Sequence, residues 1–138
     1  MPKKLSLRDL DLQGKKVFCR VDFNVPLDGG EVADDNRIEA ALPTLNHLAE
    51  HGARTILASH LGRPRGKAKP DLSLAPVARR LEQKLGRPVT FAKDCIGEPA
   101  QAASGAVQDG GFVLLENLRF HPGEEANKEE FAAELAAL

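Results

Sequence analysis

Three segments of the sequence place cationic and hydrogen-bonding side chains directly after a strongly apolar run. Their sequences are VFCRVDFNVP at 17–26, TILASHLGRP at 55–64 and GFVLLENLRF at 111–120. The first segment contributes Asp22 and Asn24, followed by Arg37 at the start of the next predicted helix. The second contributes His60 and Arg63, and the third contributes Asn117 and Arg119. If the apolar runs are strands of one parallel sheet, these side chains leave it along one edge, where open parallel sheets bind ligands.

These residue types in this arrangement indicate a site for a small anion. Arginine presents a planar fork that matches carboxylate and phosphate oxygens, and each charge-assisted hydrogen bond contributes about 1.5–3 kcal/mol. Asp22 would repel an anion unless it accepts a hydrogen bond from a ligand hydroxyl, and Asn24 can serve a carboxylate or a hydroxyl. The expected ligand therefore carries acidic groups with a hydroxyl between them.

The elements that must position these residues alternate between strand and helix four times. Apolar runs predict strands at 15–21, 55–59, 88–92 and 111–115, and helical periodicity predicts helices at 36–50, 74–85, 98–108 and 128–138. Such alternation is typical of an α/β fold, here a Rossmann-like parallel sheet with helices on both faces. The chain ends inside a good helical pattern, and we therefore expect an incomplete domain.

Local signals add detail to this outline. The apolar run at 17–21 predicts a strand buried on both faces, with Cys19 in the core. The sequence DGG at 28–30 predicts a tight hairpin turn. Ser73 is expected to cap the second helix, and Asn127 begins a pattern that resembles a capping box before the last one.

Composition argues against several classes of protein. The 138 residues suffice for one domain, and 19 Lys and Arg against 20 Asp and Glu give a net charge of −1, so no general attraction to nucleic acid or membrane is expected. Trp and Tyr are absent, which leaves few aromatic platforms for bases. No apolar run reaches membrane-spanning length and the first residues lack a secretory pattern, so we expect a cytoplasmic location.

Metal and nucleotide sites of the common kinds are not indicated either. Cys19 and Cys95 stand far apart, outside any Cys/His ligand spacing, and we expect free thiols and no metal site. The segment GRPRGKA at 62–68 resembles a P-loop, but it is one residue short and has Ala68 where a Ser or Thr would hold Mg²⁺. No GxGxxG follows any predicted strand. No nucleotide is therefore expected to bind this chain.

Several polar residues have simpler interpretations. Arg63 taken alone is as well explained by a solvated charge as by a ligand contact, and the basic residues at 65–69 are expected in a mobile, solvated loop. Asp94 is expected to cap a turn, and Glu116 to orient a neighbouring arginine. The histidines expected at the surface without a special role are His47, His51 and His121. It is the coincidence of three polar strand exits that favours a functional site.

Three blocks in chain order resemble the phosphoglycerate kinase family. They are RVDFNVPLDGGEVADDNRI at 20–38, SHLGRP at 59–64 and LLENLRFHPGEE at 114–125. The resemblance covers essentially the whole chain but only the first part of that enzyme, which is about three times longer and has two domains. It implies that residues 1–138 form part of the N-terminal domain, which binds 3-phosphoglycerate or 1,3-bisphosphoglycerate, and that the domain for Mg-ADP or Mg-ATP is absent.

The resemblance also implies a role for each matched residue. Asp22 and Asn24 would hold the hydroxyl and carboxylate end of the glycerate, and Arg37 would be catalytic, stabilising charge on the phosphoryl group in transfer. The residues implied to hold the 3-phosphate are His60, Arg63 and Arg119. The substrate site implied by the same blocks further includes Phe23, Leu61 and Gly62.

On this interpretation the whole enzyme is a glycolytic monomer that transfers a phosphoryl group between 1,3-bisphosphoglycerate and ADP. The isolated chain should be inactive, and it should be unstable or self-associate because its sheet lacks strands. The alternative is a stand-alone, non-catalytic anion-binding domain with the same fold. Nucleic-acid binding through the loop at 63–69 is disfavoured by the balanced charge.

Overall fold

A four-stranded parallel sheet lies at the centre of the computed structural model, which describes residues 9–64, 66–122 and 129–138. The strands are β1 (Lys16–Arg20), β2 (Leu27–Asp28), β3 (Glu31–Val32), β4 (Arg54–Ala58), β5 (Val89–Ala92) and β6 (Phe112–Leu115). The helices are α1 (Asn36–Glu50), α2 (Ala75–Leu85), α3 (Gly97–Ala106) and α4 (Glu129–Ala136), with short 3₁₀ helices at Pro70–Leu72 and Leu118–Phe120.

The order of the strands decides where the chain leaves the sheet. The order is β1-β4-β6-β5, and every neighbouring pair is parallel. Parallel strands have their carboxyl ends at one edge, so the exits of β1, β4 and β6 lie side by side there. These three exits are followed in the sequence by Arg37, Arg63 and Arg119. The antiparallel hairpin β2–β3 follows the first exit, as the DGG turn predicts.

The two faces of the sheet bury different side chains, because successive residues of a strand point to opposite sides. Leu57 and Leu114 face the layer formed by α1 and α2. Ile56, Val113 and Leu115 face the layer that contains α3 and α4. The α/β fold with helices on both faces of a parallel sheet, predicted from the alternation of elements, is therefore confirmed.

β1 differs from its prediction as a strand buried on both faces. It lies at the edge of the four-stranded sheet, and its residues are alternately exposed and half-buried. Phe18 pairs in register with the buried Ile56, yet its side chain is 43% exposed, because the α3/α4 layer does not cover this edge. Cys19 faces the α1/α2 layer and is half-buried, so it lies at the margin of the core.

The helix boundaries agree with the sequence to within one or two residues. Ser73 lies one residue before the N-cap of α2, which is Leu74, although its Oγ does accept the backbone N–H of Ala75 at 3.2 Å. α3 ends at Ala106, two residues before the predicted end. The predicted cap Asn127 and the loop residue Arg65 lie outside the described residues. None of the helices in the described ranges is long and apolar enough to cross a lipid bilayer.

An ion-pair network joins the start of α1 to α2. The Asp35 carboxylate lies 3.2 Å from Lys84 Nζ and 3.1 Å from Arg80 Nη1, and Lys84 also contacts Glu39. The hydrogen bond from Lys84, with the positive charges of Lys84 and Arg80, lowers the pKa of Asp35 below its ordinary value of 3.8. This network fixes the first turn of α1, which carries Arg37, against the neighbouring helix.

The exposed edge at β1 gives a first prediction, that this chain self-associates. Phe18→Thr keeps a residue suited to strands and removes the exposed ring. Wild-type chain should melt at a temperature that rises with protein concentration, whereas Phe18→Thr should melt at nearly the same temperature at two concentrations tenfold apart. Leu10→Thr is the matched control, because Leu10 is 48% exposed outside the sheet. A high melting temperature of the wild type that is independent of concentration would contradict the prediction.

Candidate anion site at the carboxyl edge of the sheet

The exit of β1 carries a small charged network. Arg37 Nη1 lies 3.3 Å from Asp22 Oδ1 and also donates to the backbone carbonyl of Asn24. The Asn24 N–H donates to the same Asp22 oxygen at 3.2 Å. The side chains of Arg37 and Asp22 are 52% and 65% exposed. An ion pair so exposed contributes about 0–1 kcal/mol, so an incoming anion can replace it at little cost.

Asn24 connects this exit to that of β4. Its Oδ1 accepts the backbone N–H of Gly62 at 2.9 Å. Gly62 has φ of +62°, and a Cβ built there would lie 2.8 Å from Leu72 Cδ2. The positive φ favours glycine at 62, and a larger side chain would also force Leu72 to shift. The two exits are held together by a contact that any larger residue at 62 would disturb.

Asn117 connects the exits of β4 and β6. Its side chain is fully buried, and its Oδ1 accepts the N–H groups of Leu61 at 3.2 Å and Arg119 at 3.0 Å. Its Nδ2 donates to the carbonyls of Leu61 at 2.8 Å and Leu72 at 3.0 Å. These four bonds use both donors and two acceptor positions of the amide. Asn117, grouped above with the ligand-facing residues, is instead the link that holds Arg119 and Leu61 in place.

Ser59, which the sequence analysis did not single out, is a second buried link. Its Oγ accepts the N–H of Phe23 at 3.0 Å, and its carbonyl accepts the N–H of Leu118 at 3.0 Å. It is the last residue of the apolar run TILAS, and a polar residue at the buried end of a strand was the available signal. One buried serine therefore contacts the chain after β1 and the chain after β6.

In the described part of the chain, Glu116 binds a serine hydroxyl and backbone N–H groups, and not the neighbouring arginine that the sequence analysis expects. Its carboxylate accepts hydrogen bonds from Ser73 Oγ at 2.6 Å, the Leu74 N–H at 2.8 Å and the Asn117 N–H at 2.8 Å. A carboxylate at this position is favoured by the positive end of the α2 dipole. Glu116 therefore anchors the start of α2 beside the exit of β6.

The predicted site residues differ in what they can present to a ligand. Phe23 and Leu61 are 0% and 3% exposed, so their side chains form walls of the core beneath the edge. The backbone groups of Leu61 are occupied by Asn117, and the N–H of Phe23 by Ser59. Arg63 is exposed, and His60 and Arg119 are partly exposed. The cationic side chains therefore reach toward solvent from backbone segments that are held in place by buried hydrogen bonds.

Two shallow cavities share Arg37 as a wall. One measures about 330 Å³, similar to the smallest ligand pockets, and is lined by residues that include Cys19, Arg20, Asp22 and Thr44. The other measures 270 Å³ and is lined by residues that include Asn24, Pro26, Asp34 and Asn36. Burial raises the pKa of the Cys19 thiol, so that group stays neutral beside the charged residues. Arg37 is therefore accessible from both sides of the β1 exit.

One group of potentially functional residues escaped sequence reasoning. His121 Nε2 lies 2.6 Å from Asp94 Oδ1, and Cys95 is adjacent. Asp94 Oδ1 also accepts the N–H of the next residue, Cys95, at 2.7 Å. His121, expected at the surface without a role, is partly buried against this turn. No spacing signal links residues so far apart in the sequence.

The central position of Asn117 gives a second prediction. Asn117→Ala would leave buried N–H and C=O groups of Leu61, Leu72 and Arg119 without partners, and each such group costs about 1–3 kcal/mol. We expect the free energy of unfolding in urea to fall by roughly 2–4 kcal/mol. Asn46→Ala, at an exposed position of α1, should change it by less than about 0.5 kcal/mol. Equal stability of the two variants would show that Asn117 does not hold the site together.

Comparisons with known sequences agree on one family. A family model described as phosphoglycerate kinase matches residues 7–138. A phosphoglycerate kinase from Moorella thermoacetica is 58% identical over 135 residues, which cover 98% of this chain and 34% of the relative. One from Chlorobium luteolum is 56% identical over 137 residues, covering 99% of this chain and 34% of the relative. The chain thus spans about a third of the length of these relatives.

Solved structures give the same result. The phosphoglycerate kinase of Coxiella burnetii superposes with a TM-score of 0.84 at 43% identity, covering 97% of this chain and 33% of that one. The phosphoglycerate kinase of Pyrococcus horikoshii superposes with a TM-score of 0.83 at 32% identity, covering 97% and 34%. Since a family model and high-identity relatives match nearly every residue, the chain belongs to the phosphoglycerate kinase family.

Proposed function

We propose that this chain supplies the 3-phosphoglycerate site of a phosphoglycerate kinase, which transfers a phosphoryl group reversibly between 1,3-bisphosphoglycerate and ADP. The observation that carries the proposal is the linkage of the three strand exits by the side chains of the half-buried Asn24 and the buried Asn117. Asn24 contacts Gly62, and Asn117 contacts both Leu61 and Arg119. A preorganised edge with cationic side chains is what a small phosphorylated acid requires.

The non-reacting phosphate is assigned to the exits of β4 and β6. His60 and Arg63 follow β4, and Arg119 lies in the 3₁₀ helix after β6. Asn117 fixes the backbone on both sides of this group, because it bonds to Leu61 and to the N–H of Arg119. Two guanidinium groups and an imidazole on an ordered backbone can grip a phosphate with charge-assisted hydrogen bonds.

The glycerate end is assigned to the exit of β1. Asp22 accepts a hydrogen bond from the ligand hydroxyl, and Asn24 forms hydrogen bonds with the hydroxyl and carboxylate end of the glycerate. Arg37 releases its exposed contact with Asp22 and binds instead the ligand carboxyl group from which the phosphoryl group is transferred. There it stabilises negative charge during transfer, which is the main requirement of phosphoryl transfer. No covalent intermediate with this chain is needed.

The nucleotide is assigned to the part of the enzyme that this chain does not span. In the described part of the P-loop-like segment at 62–68, the N–H groups of both glycines already have partners within the chain. Gly62 donates to Asn24, and Gly66 donates to the carbonyl of Arg119 at 3.1 Å. The residues present therefore do not fit Mg-ATP or Mg-ADP, and the chain alone should bind substrate without transferring phosphate. A purely non-catalytic anion-binding role is the alternative that the chain's length also allows.

Ligand binding gives a third prediction. In NMR titrations of the folded chain, 3-phosphoglycerate should shift the amide signals of Asn24, Arg37, His60 and Arg119. Arg63→Ala should weaken binding about ten- to a hundredfold, the equivalent of one lost charge-assisted contact. Arg79→Ala is the matched control, because Arg79 is exposed on α2 and should leave the affinity unchanged. Absence of shifts at millimolar ligand, or equal losses in both variants, would contradict the assigned site.

Catalysis gives a fourth prediction, tested in a full-length phosphoglycerate kinase that carries this segment. Arg37→Ala should lower kcat by about a hundred- to a thousandfold, since it removes a contact that strengthens in the transition state, and should change KM much less. Arg63→Ala should mainly raise KM for 3-phosphoglycerate. If both substitutions affected kcat alone, the division of roles would be wrong. If the wild-type enzyme bound 3-phosphoglycerate without turnover, the non-catalytic alternative would hold.

A further inference from the structure

Asp94, Cys95 and His121 converge on the side of the sheet edge away from the β1 exit. Asp94 and Cys95 lie between β5 and α3, and His121 directly follows the 3₁₀ helix after β6. One potential metal-ligand atom from each residue lies within 4.8 Å of the other two. None of the three belongs to the substrate site proposed above.

The surroundings hold two of these groups in orientation. Asp94 Oδ1 accepts the N–H of Cys95 at 2.7 Å and lies 2.6 Å from His121 Nε2. The His121 ring packs against Phe131 of α4 with ring centroids 5.5 Å apart. The Cys95 N–H thus orients the carboxylate and the Phe131 ring orients the imidazole, and neither contact has to break when a metal binds.

Burial differs among the three residues in a way that leaves a route to the site. Cys95 is 0% exposed, whereas the side chains of Asp94 and His121 are 41% and 29% exposed. An ion from solvent can therefore bind the Asp94 carboxylate and the His121 imidazole before it reaches the buried Cys95 sulfur.

We propose that Asp94, Cys95 and His121 form a binding site for a divalent transition-metal ion, with Zn²⁺ as the best match. A thiolate, an imidazole and a carboxylate are all established zinc ligands, whereas Mg²⁺ and Ca²⁺ prefer oxygen alone. Zinc bonds of about 2.0–2.3 Å place tetrahedral ligand atoms about 3.3–3.6 Å apart. The present cluster reaches this spacing by small side-chain shifts that open the Asp94–His121 contact. Water or a small anion takes the fourth position.

The local charge favours a cation at this place. Asp94 contributes a carboxylate to the cluster, and Glu116 follows β6, whose exit also leads to His121. These negative charges favour a dication, and binding of the metal to the thiol releases its proton. The bound ion also ties the β5–α3 loop to the turn two residues after Arg119.

Cobalt provides the direct test, because a thiolate bound to Co²⁺ gives a charge-transfer band that carboxylate and imidazole ligands do not give. The chelator-treated 138-residue chain is titrated with Co²⁺ alone, and Zn²⁺ is then added. We expect this band together with tetrahedral visible bands at one Co²⁺ per chain, and their loss when Zn²⁺ displaces the cobalt. Zn²⁺ should also raise the melting temperature.

Matched variants show whether these residues are the ligands. Cys95→Ser should abolish the charge-transfer band, and Cys19→Ser should keep it, which separates the two thiols. Because Cys95 is buried and its variant could unfold, His121→Gln provides a second measurement at a partly exposed position and should weaken Co²⁺ binding at least tenfold. The proposal is overturned if the wild type gives no charge-transfer band, if Cys19→Ser removes it, or if folded His121→Gln binds Co²⁺ as tightly as the wild type.

Discussion

The buried amide of Asn117 is the interaction on which the edge of this sheet depends. Loops at a sheet edge carry backbone N–H and C=O groups that no strand partner satisfies, and burying such groups without partners is costly. Asn117 satisfies four of them, on three segments of the chain. Ser59 and Glu116 do the same for the segments before β2 and before α2. These polar side chains thus give the irregular segments a fixed geometry, and the charged residues are carried by those segments.

The strand order determines which segments these contacts can join. Because β4 lies between β1 and β6, the segment that follows it can contact the segments after both neighbours. Its Gly62 binds Asn24 on one side, and its Leu61 binds Asn117 on the other. The exit of β5 lies at the far end, where Asp94 meets His121 instead. One edge of the sheet therefore supports two separate groups of polar residues, one rich in arginine and one that contains Asp94, Cys95 and His121.

The sequence predicts the elements well because hydrophobic periodicity depends on local structure, and the four strands and the helices lie close to their predicted positions. It does not predict strand order, which is why β1 was expected to be buried on both faces although Phe18 is 43% exposed. It also cannot separate polar residues that bind a ligand from those that bind the backbone, so Asn117 was grouped with Arg119.

The contact of Asp94 with His121 depends on tertiary structure alone. The assigned substrate roles came from resemblance to a family and remain predictions.

The exposure of Arg37 and Asp22 determines how readily their contact can be exchanged for one with a ligand. In water, two unit charges about 4 Å apart interact by about 1 kcal/mol, and by about 4 kcal/mol where the effective dielectric constant is about 20. With side chains 52% and 65% exposed, the pair is close to the first case and exchanges partners easily. The same arginine would stabilise a phosphoryl group in transfer much more strongly once a second surface excludes water. An open, ordered edge is therefore able to hold a ligand, and the catalytic role proposed for Arg37 would require a second surface that excludes water from it.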